Sequence, residues 1–190
     1  MAKLLCGVGF NDIDYKVNPI INGKHVMCPF YKAWQSMITR CYSKIYQAKK
    51  PSYIGCYVCE EWLTFSNFRS WMIQQDWQGK QLDKDILHQD NKIYSPEACV
   101  FVSSMTNSFI NENKAARGCT MIGVNFHSRD KVYQSRCSNP FTKKSDFLGY
   151  FDSELSAHLA WKKRKHELAL LVAELQEDKR VAEAIVKRYQ

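Results

Sequence analysis

Two sets of side chains in this sequence have the types and spacing to do chemistry. Cys56-Tyr-Val-Cys59 is a CxxC, the spacing with which two thiolates grip one zinc ion, and a structural Zn²⁺ site needs two further ligands. Cys41 and Cys99 are the candidates to complete it. The competing reading makes all four core thiols, since free cysteines are among the most buried residues. Redox exchange is the weaker alternative, because this CxxC does not lie in a βαβ pattern. The second set has a period of two: if Tyr133, Ser135 and Cys137 face a covering helix, then Gln134, Arg136 and Ser138 face outward together. A guanidinium pairs with guanine and a glutamine amide with adenine, so Arg136 and Gln134 are expected to read base edges. Arg129, Lys131, Lys143 and Lys144 flank that face from two loops and would hold phosphates. The alternative is a solvated basic sheet face. Lys162-Lys-Arg-Lys165 is four consecutive cations on a helix, which cannot all point one way, so it is a phosphate contact at best.

Charge agrees with a polyanionic partner. The 190 residues carry 27 Lys and Arg against 19 Asp and Glu, a formal net charge of +8. Residues 1–118 hold 14 basic and 10 acidic side chains, residues 119–166 hold 9 and 4, and the last 24 hold 4 and 5. The basic density therefore sits beside Arg136. A hydrophobic fraction of 45% is enough for a packed core and argues against disorder throughout. No apolar run reaches the roughly 18 residues that span a bilayer, so no membrane partner is expected. Met1-Ala-Lys-Leu-Leu-Cys6-Gly does not have the pattern of a secretory signal, and the expected location is the cytoplasm, where the eight cysteines stay reduced.

These groups need elements to position them. Residues 1–28 carry Gly7, Gly9, Pro19 and Gly23 without a sustained period, which predicts an arm with little structure of its own. From Pro29, Trp34, Met37, Ile38, Cys41, Tyr42 and Ile45 form one face of a helix of about four turns. Thr64 is an N-cap for a second helix, on which Phe65, Phe68, Trp71 and Met72 share a face. Leu82–Leu87 alternates as a strand, His88–Lys92 reads as a turn, Cys99–Val102 as a strand and Ser103–Asn113 as a short helix. Beyond Gly118, the runs Gly123–Phe126, Val132–Cys137 and Phe147–Phe151 predict a three-stranded antiparallel meander. Asp152 or Ser153 caps a long helix with Leu155, Leu159 and Trp161 near one side. Leu168, Leu171, Val172, Leu175, Ala182, Ile185 and Tyr189 continue it in near-heptad spacing, with a break near Asp178. That stripe would seal the two halves together, or pair with a second copy or a host-protein partner. The expected class is α+β, organised as arm 1–28, domain 29–118, domain 119–168 and helical extension 169–190.

The stretch Leu82-Asp83-Lys84-Asp85 through Asn91, Tyr94-Ser-Pro-Glu and Cys99-Val-Phe-Val102 to Asn107 resembles the HNH (ββα-metal) nuclease motif. The resemblance implies that Asp83 is the metal-binding acid, Asn91 the loop asparagine and Asn107 the metal-facing helix residue, with Mg²⁺ as the ion. Lys84 stands where the motif has its general-base histidine. An imidazole accepts a proton from water near neutral pH, whereas a lysine of ordinary pKa near 10 is already protonated there and has no lone pair with which to accept one. His88 is the nearest substitute, or else a surface histidine; Asp83 and Asn107 alternatively stitch the hairpin to the helix. The resemblance extends to bacteriophage and prophage HNH-like proteins through Trp34, Met37, Arg40-Cys41, Tyr53, Cys59-Glu-Glu-Trp62, Phe65 and Phe68. Tyr53-Ile-Gly55-Cys56 replaces that group's glycine-rich loop.

Gly123-Val124, Tyr133-Gln-Ser-Arg-Cys, Leu148-Gly149-Tyr-Phe151 and Glu154–Trp161 resemble an AP2/ERF DNA-binding domain, which implies a sheet laid in the major groove and backed by a helix. Together the resemblances imply a double-stranded DNA-binding protein of phage type, in a bacterial host cell, on a degenerate HNH fold. An active Mg²⁺-dependent homing-type endonuclease is one alternative. A phage-encoded modulator of a host or rival protein is another.

Overall fold

The computed structural model describes residues 4–111 and 120–190 and is mixed α+β. Its contacts divide the chain into two units, Met1–Ser103 and Ser104–Gln190.

The first unit is built on α1 (Pro29–Tyr42), whose Trp34, Met37, Ile38 and Cys41 are buried at helical spacing against Trp62, Phe65, Phe68 and Met72. The indole N–H of Trp34 donates to the Trp62 carbonyl at 2.7 Å, so this fully buried indole leaves no polar atom unpaired. The expected four-turn helix stops at Ser43. That residue is extended, and its hydroxyl accepts the Tyr46 N–H, which caps a separate α2 (Lys44–Lys49) and leaves Ile45 76% exposed. Thr64 precedes α3 (Phe65–Ile73) without a side-chain cap bond; its carbonyl accepts the Phe68 N–H instead.

The arm is more ordered than its composition predicts. β1 (Ile20–Ile21) and β2 (Lys24–His25) pair through Asn22-Gly23, both at positive φ, the geometry of a two-residue hairpin turn. Phe10 bonds Leu63 and Phe65 through its backbone, and Leu5, Val8, Ile13 and Val17 pack on the core. The remaining strands are short. β3 (Tyr57–Val58) runs parallel to β5 (Ile93–Tyr94), and β4 (Gln81–Asp83) pairs antiparallel with β6 (Val100–Val102). The strand expected over 82–87 therefore ends at Asp83.

The second unit opens with α4 (Ser104–Ile110), shorter than the helix expected over 103–113. The expected domain boundary at Gly118 lies outside the described residues. The meander is present with longer strands: β7 (Val124–His127), β8 (Val132–Asn139) and β9 (Lys144–Phe151) form an antiparallel sheet in that order. It packs on α5 (Glu154–Glu174), which Ser153 caps by accepting the Ser156 N–H. Ala157, Trp161, Lys165 and Leu168 face inward, whereas Leu155 and Leu159, expected beside Trp161, are exposed. One glycine sets the approach of sheet to helix. A Cβ at Gly123 would lie 2.1 Å from Trp161 Cδ1, and its φ of +78° is one that side chains resist.

The break near Asp178 is a cap rather than a kink. Its carboxylate accepts the Arg180 N–H at 2.9 Å and starts α6 (Lys179–Arg188), which packs on α5 through Leu168, Val172, Val181 and Ile185. The near-heptad stripe thus closes an αα-hairpin, with Leu171 and Leu175 left exposed. α4 joins this hairpin: Phe109 stacks edge-on to Tyr189 at 5.5 Å, and its carbonyl accepts from Lys165 Nζ at 2.7 Å.

Candidate nucleic-acid interface

Three of the residues nominated by the HNH resemblance are occupied in holding a loop together. Asp83 Oδ1 accepts the N–H groups of Asp85 and Ile86 at 2.7 and 2.8 Å, a side-chain turn that diverts the chain out of β4. Burial raises its pKa above the ordinary carboxylate value, against those two donors. Lys84 is 5% exposed; its ammonium bonds the Asp85 carboxylate and the Asn91 carbonyl oxygen, and lies 5.9 Å from the centre of the Tyr94 ring. Asn91 returns the contact, donating from Nδ2 to the carbonyls of Lys84 and Ile93 at 2.8 and 2.6 Å. His88 is exposed at the loop tip. Asn107 is on α4 in the second unit, where its Oδ1 accepts from Asn111 Nδ2 at 2.8 Å.

The candidate zinc ligands are placed in the first unit, with Cys41, Cys56 and Cys99 buried and Cys59 half-buried. Burial pushes the Cys41 thiol up to about 12 and the Cys99 thiol further in the same direction, so without a metal both stay protonated at neutral pH. Among the described residues no group of three or more His, Cys, Asp or Glu side chains is placed to hold a metal ion.

The sheet of the second unit has two unlike faces. Toward α5, Ser135 donates from Oγ to the Ala157 carbonyl at 2.7 Å, Cys137 is buried, and Asp146 pairs with Arg164 at 3.0 Å. Away from α5, Arg136 and Ser138 are exposed and Gln134 half-buried, as the alternation requires. The outward groups are lightly tethered: Gln134 Nε2 reaches the Tyr150 hydroxyl and Arg136 Nη2 the Ser145 carbonyl, each at 3.4 Å. Phe147 and Tyr150 are 51% and 56% exposed with their rings 5.2 Å apart, and His127 meets Tyr150 edge-on at 5.5 Å. Cationic turns stand at both ends of β8, roughly 25 Å apart along an eight-residue strand. Arg129 and Lys131 are in one, Lys143 in the other; Lys144 is the first residue of β9 rather than part of the loop. Asn139 Oδ1 accepts the N–H groups of Phe141 and Thr142 and so fixes the second turn.

No family model, curated protein or solved structure matches this chain.

The face combines planar hydrogen-bonding side chains, exposed aromatic rings and cations at two edges, which is the equipment for touching base edges and phosphates at once. Phe147 and Tyr150 were not among the expected site residues, because strict alternation puts residues 147 and 150 on opposite faces. A register shift between Ser135 and Arg136 leaves Gly149 opposite Ser135 and Phe147 opposite Arg136, which brings both rings to the outer face. Gly149, at φ +127°, was the available sign of that bulge. The expected four-cation run divides: Lys162 and Lys163 are exposed, Arg164 is paired with Asp146 and Glu167, and Lys165 is buried.

Proposed function

We propose that this protein binds double-stranded DNA through the outer face of the β7–β8–β9 sheet. Arg136 and Gln134 meet base edges in the major groove, Phe147 gives an apolar contact suited to a thymine methyl, and Arg129, Lys131, Lys143 and Lys144 neutralise phosphates. The observation that carries this reading is the cross-strand pairing of Arg136 with Phe147 and of Gln134 with Tyr150 on one exposed face, while Asp146 is turned to the helix side. The AP2/ERF-like reading of this unit asks for the same orientation. The degenerate HNH-like reading of the first unit is proposed as a scaffold or backbone grip rather than a hydrolase. Lys84 stands where the base would be, with its ammonium bonded to Asp85 and to the Asn91 carbonyl.

The test is binding of labelled duplexes followed by anisotropy across a salt series. Four phosphate contacts predict that log K falls with log[salt] at a slope of about −3.6. A slope near zero would instead point to a protein partner bound through apolar surface.

A further inference from the structure

The second unit holds a cavity of about 660 Å³ between α4 and the β8–β9 turn, within the range of roughly 300–1,000 Å³ typical of small-molecule sites. Its described lining is one-sided in charge. Lys143, Lys144 and Lys165 line it, and none of its described lining residues is Asp or Glu. Asp146, next along the chain from the wall, is held by Arg164 and Asn139. The three cations differ in kind. Lys165 is 7% exposed and held in place, with Nζ 2.7 Å from the Phe109 carbonyl and 3.6 Å from that ring's centre, so it supplies a stationary positive charge in a poorly solvated wall. Lys143, in the β8–β9 turn, and Lys144, the first residue of β9, are exposed side chains that line the cavity. Ser108 and Ser145 add hydroxyl donors, and Met105 an apolar surface.

We infer that this cavity binds a phosphomonoester of nucleotide size, its phosphate among the lysines and serines and its body against the apolar wall. A phosphomonoester carries about −1.5 to −2 charges near neutral pH and three strong acceptor oxygens, which suits a cluster of cations and hydroxyls whose described lining residues include no carboxylate. The same group occurs on a free mononucleotide and on the 5′-phosphorylated end of a DNA strand. This inference goes beyond the duplex reading, with which it shares Lys143 and Lys144; it does not depend on that reading, because a mononucleotide has no groove to present to the sheet.

The experiment is calorimetric titration of the full chain with thymidine 5′-monophosphate and with thymidine, and competition by a blunt duplex with or without 5′-phosphates. Thymidine 5′-monophosphate is expected to bind at least tenfold tighter than thymidine if the ligand is free. If the ligand is a strand end, the phosphorylated duplex is expected to outbind its unphosphorylated counterpart by the same factor. Ser108→Trp, on an exposed helix position, fills the cavity, and the double variant Lys143→Gln with Lys144→Gln removes the exposed charges; each should lower that affinity at least tenfold with an unchanged circular dichroism spectrum. Indifference of both probe pairs to the phosphate overturns the inference, and so does phosphate-dependent binding that survives Ser108→Trp.

Discussion

The loop at 83–91 and the outer face of the β8–β9 pair carry similar side chains and use them in opposite ways. In the loop, an aspartate, a lysine and an asparagine are turned onto backbone groups a few residues away, at distances of 2.6–2.8 Å for the bonds to Asn91, Asp85 and Ile86. On the sheet, an arginine and a glutamine face solvent with one long 3.4 Å contact each. A polar side chain whose donors and acceptors are satisfied at short range stabilises a fold and has little left for a ligand; one that is weakly tethered can exchange its contact for a base edge or a phosphate. Polar and cationic side chains are common to both regions, and bonding partners separate them.

That contrast can be broken at several points. The largest effect is expected where the sheet meets its helix: Gly123→Ala forces a Cβ into Trp161 at a positive φ and should cost about 3–5 kcal/mol, read by urea unfolding of the second unit. Lys84→Ala should cost roughly 2–4 kcal/mol, because it empties a buried position and strands the Asn91 carbonyl, while duplex affinity stays within about twofold. Lost binding with unaltered stability would place Lys84 on DNA instead. Arg136→Ala should weaken a preferred duplex by about 1–3 kcal/mol and relax its sequence preference, whereas Lys143→Ala should weaken all sequences alike and reduce the salt slope by about 0.9. Equal losses on preferred and random DNA would remove Arg136 from base reading.

The smallest effect is a pH dependence at Asp83. Burial raises its folded-state pKa above the ordinary 3.8, so the stability linked to its protonated form is complete below that value and is lost as pH rises through the raised folded-state pKa. Asp83→Asn keeps the acceptor for Asp85 and Ile86 without the charge. The variant should match the parent at acid pH and become the more stable of the two as pH rises, while Asp83→Ala loses about 1–2 kcal/mol through the unpaired N–H groups. A gap between parent and Asp83→Asn that does not move with pH would assign the carboxylate a different environment.

The elements of the second unit were legible because their signals are local. The meander follows from period-two runs between polar turns, and the outward set Gln134, Arg136 and Ser138 follows from alternation along β8. Legibility ended where one residue changes the phase. The bulge opposite Ser135 moved Phe147 and Tyr150 to the outer face, Ser43 divided the first helix, and the Asp83 carboxylate ended a strand that composition alone continues to Leu87. Lys165 illustrates a different limit. Four consecutive cations read as a solvated helix face, and only the packing of α4 against α5 and α6 shows one of them buried against Phe109 and Tyr189.

The most direct test places the purified protein on supercoiled plasmid with Mg²⁺ or Mn²⁺ and follows band shift and nicking on one gel, beside Arg136→Ala, Asp83→Asn and EDTA controls. A shift that Arg136→Ala weakens and Asp83→Asn leaves intact, without nicking in any lane, is the predicted result. Metal-dependent nicking that Asp83→Asn abolishes would contradict it, assigning the loop a catalytic role and sending the search for its base to His88.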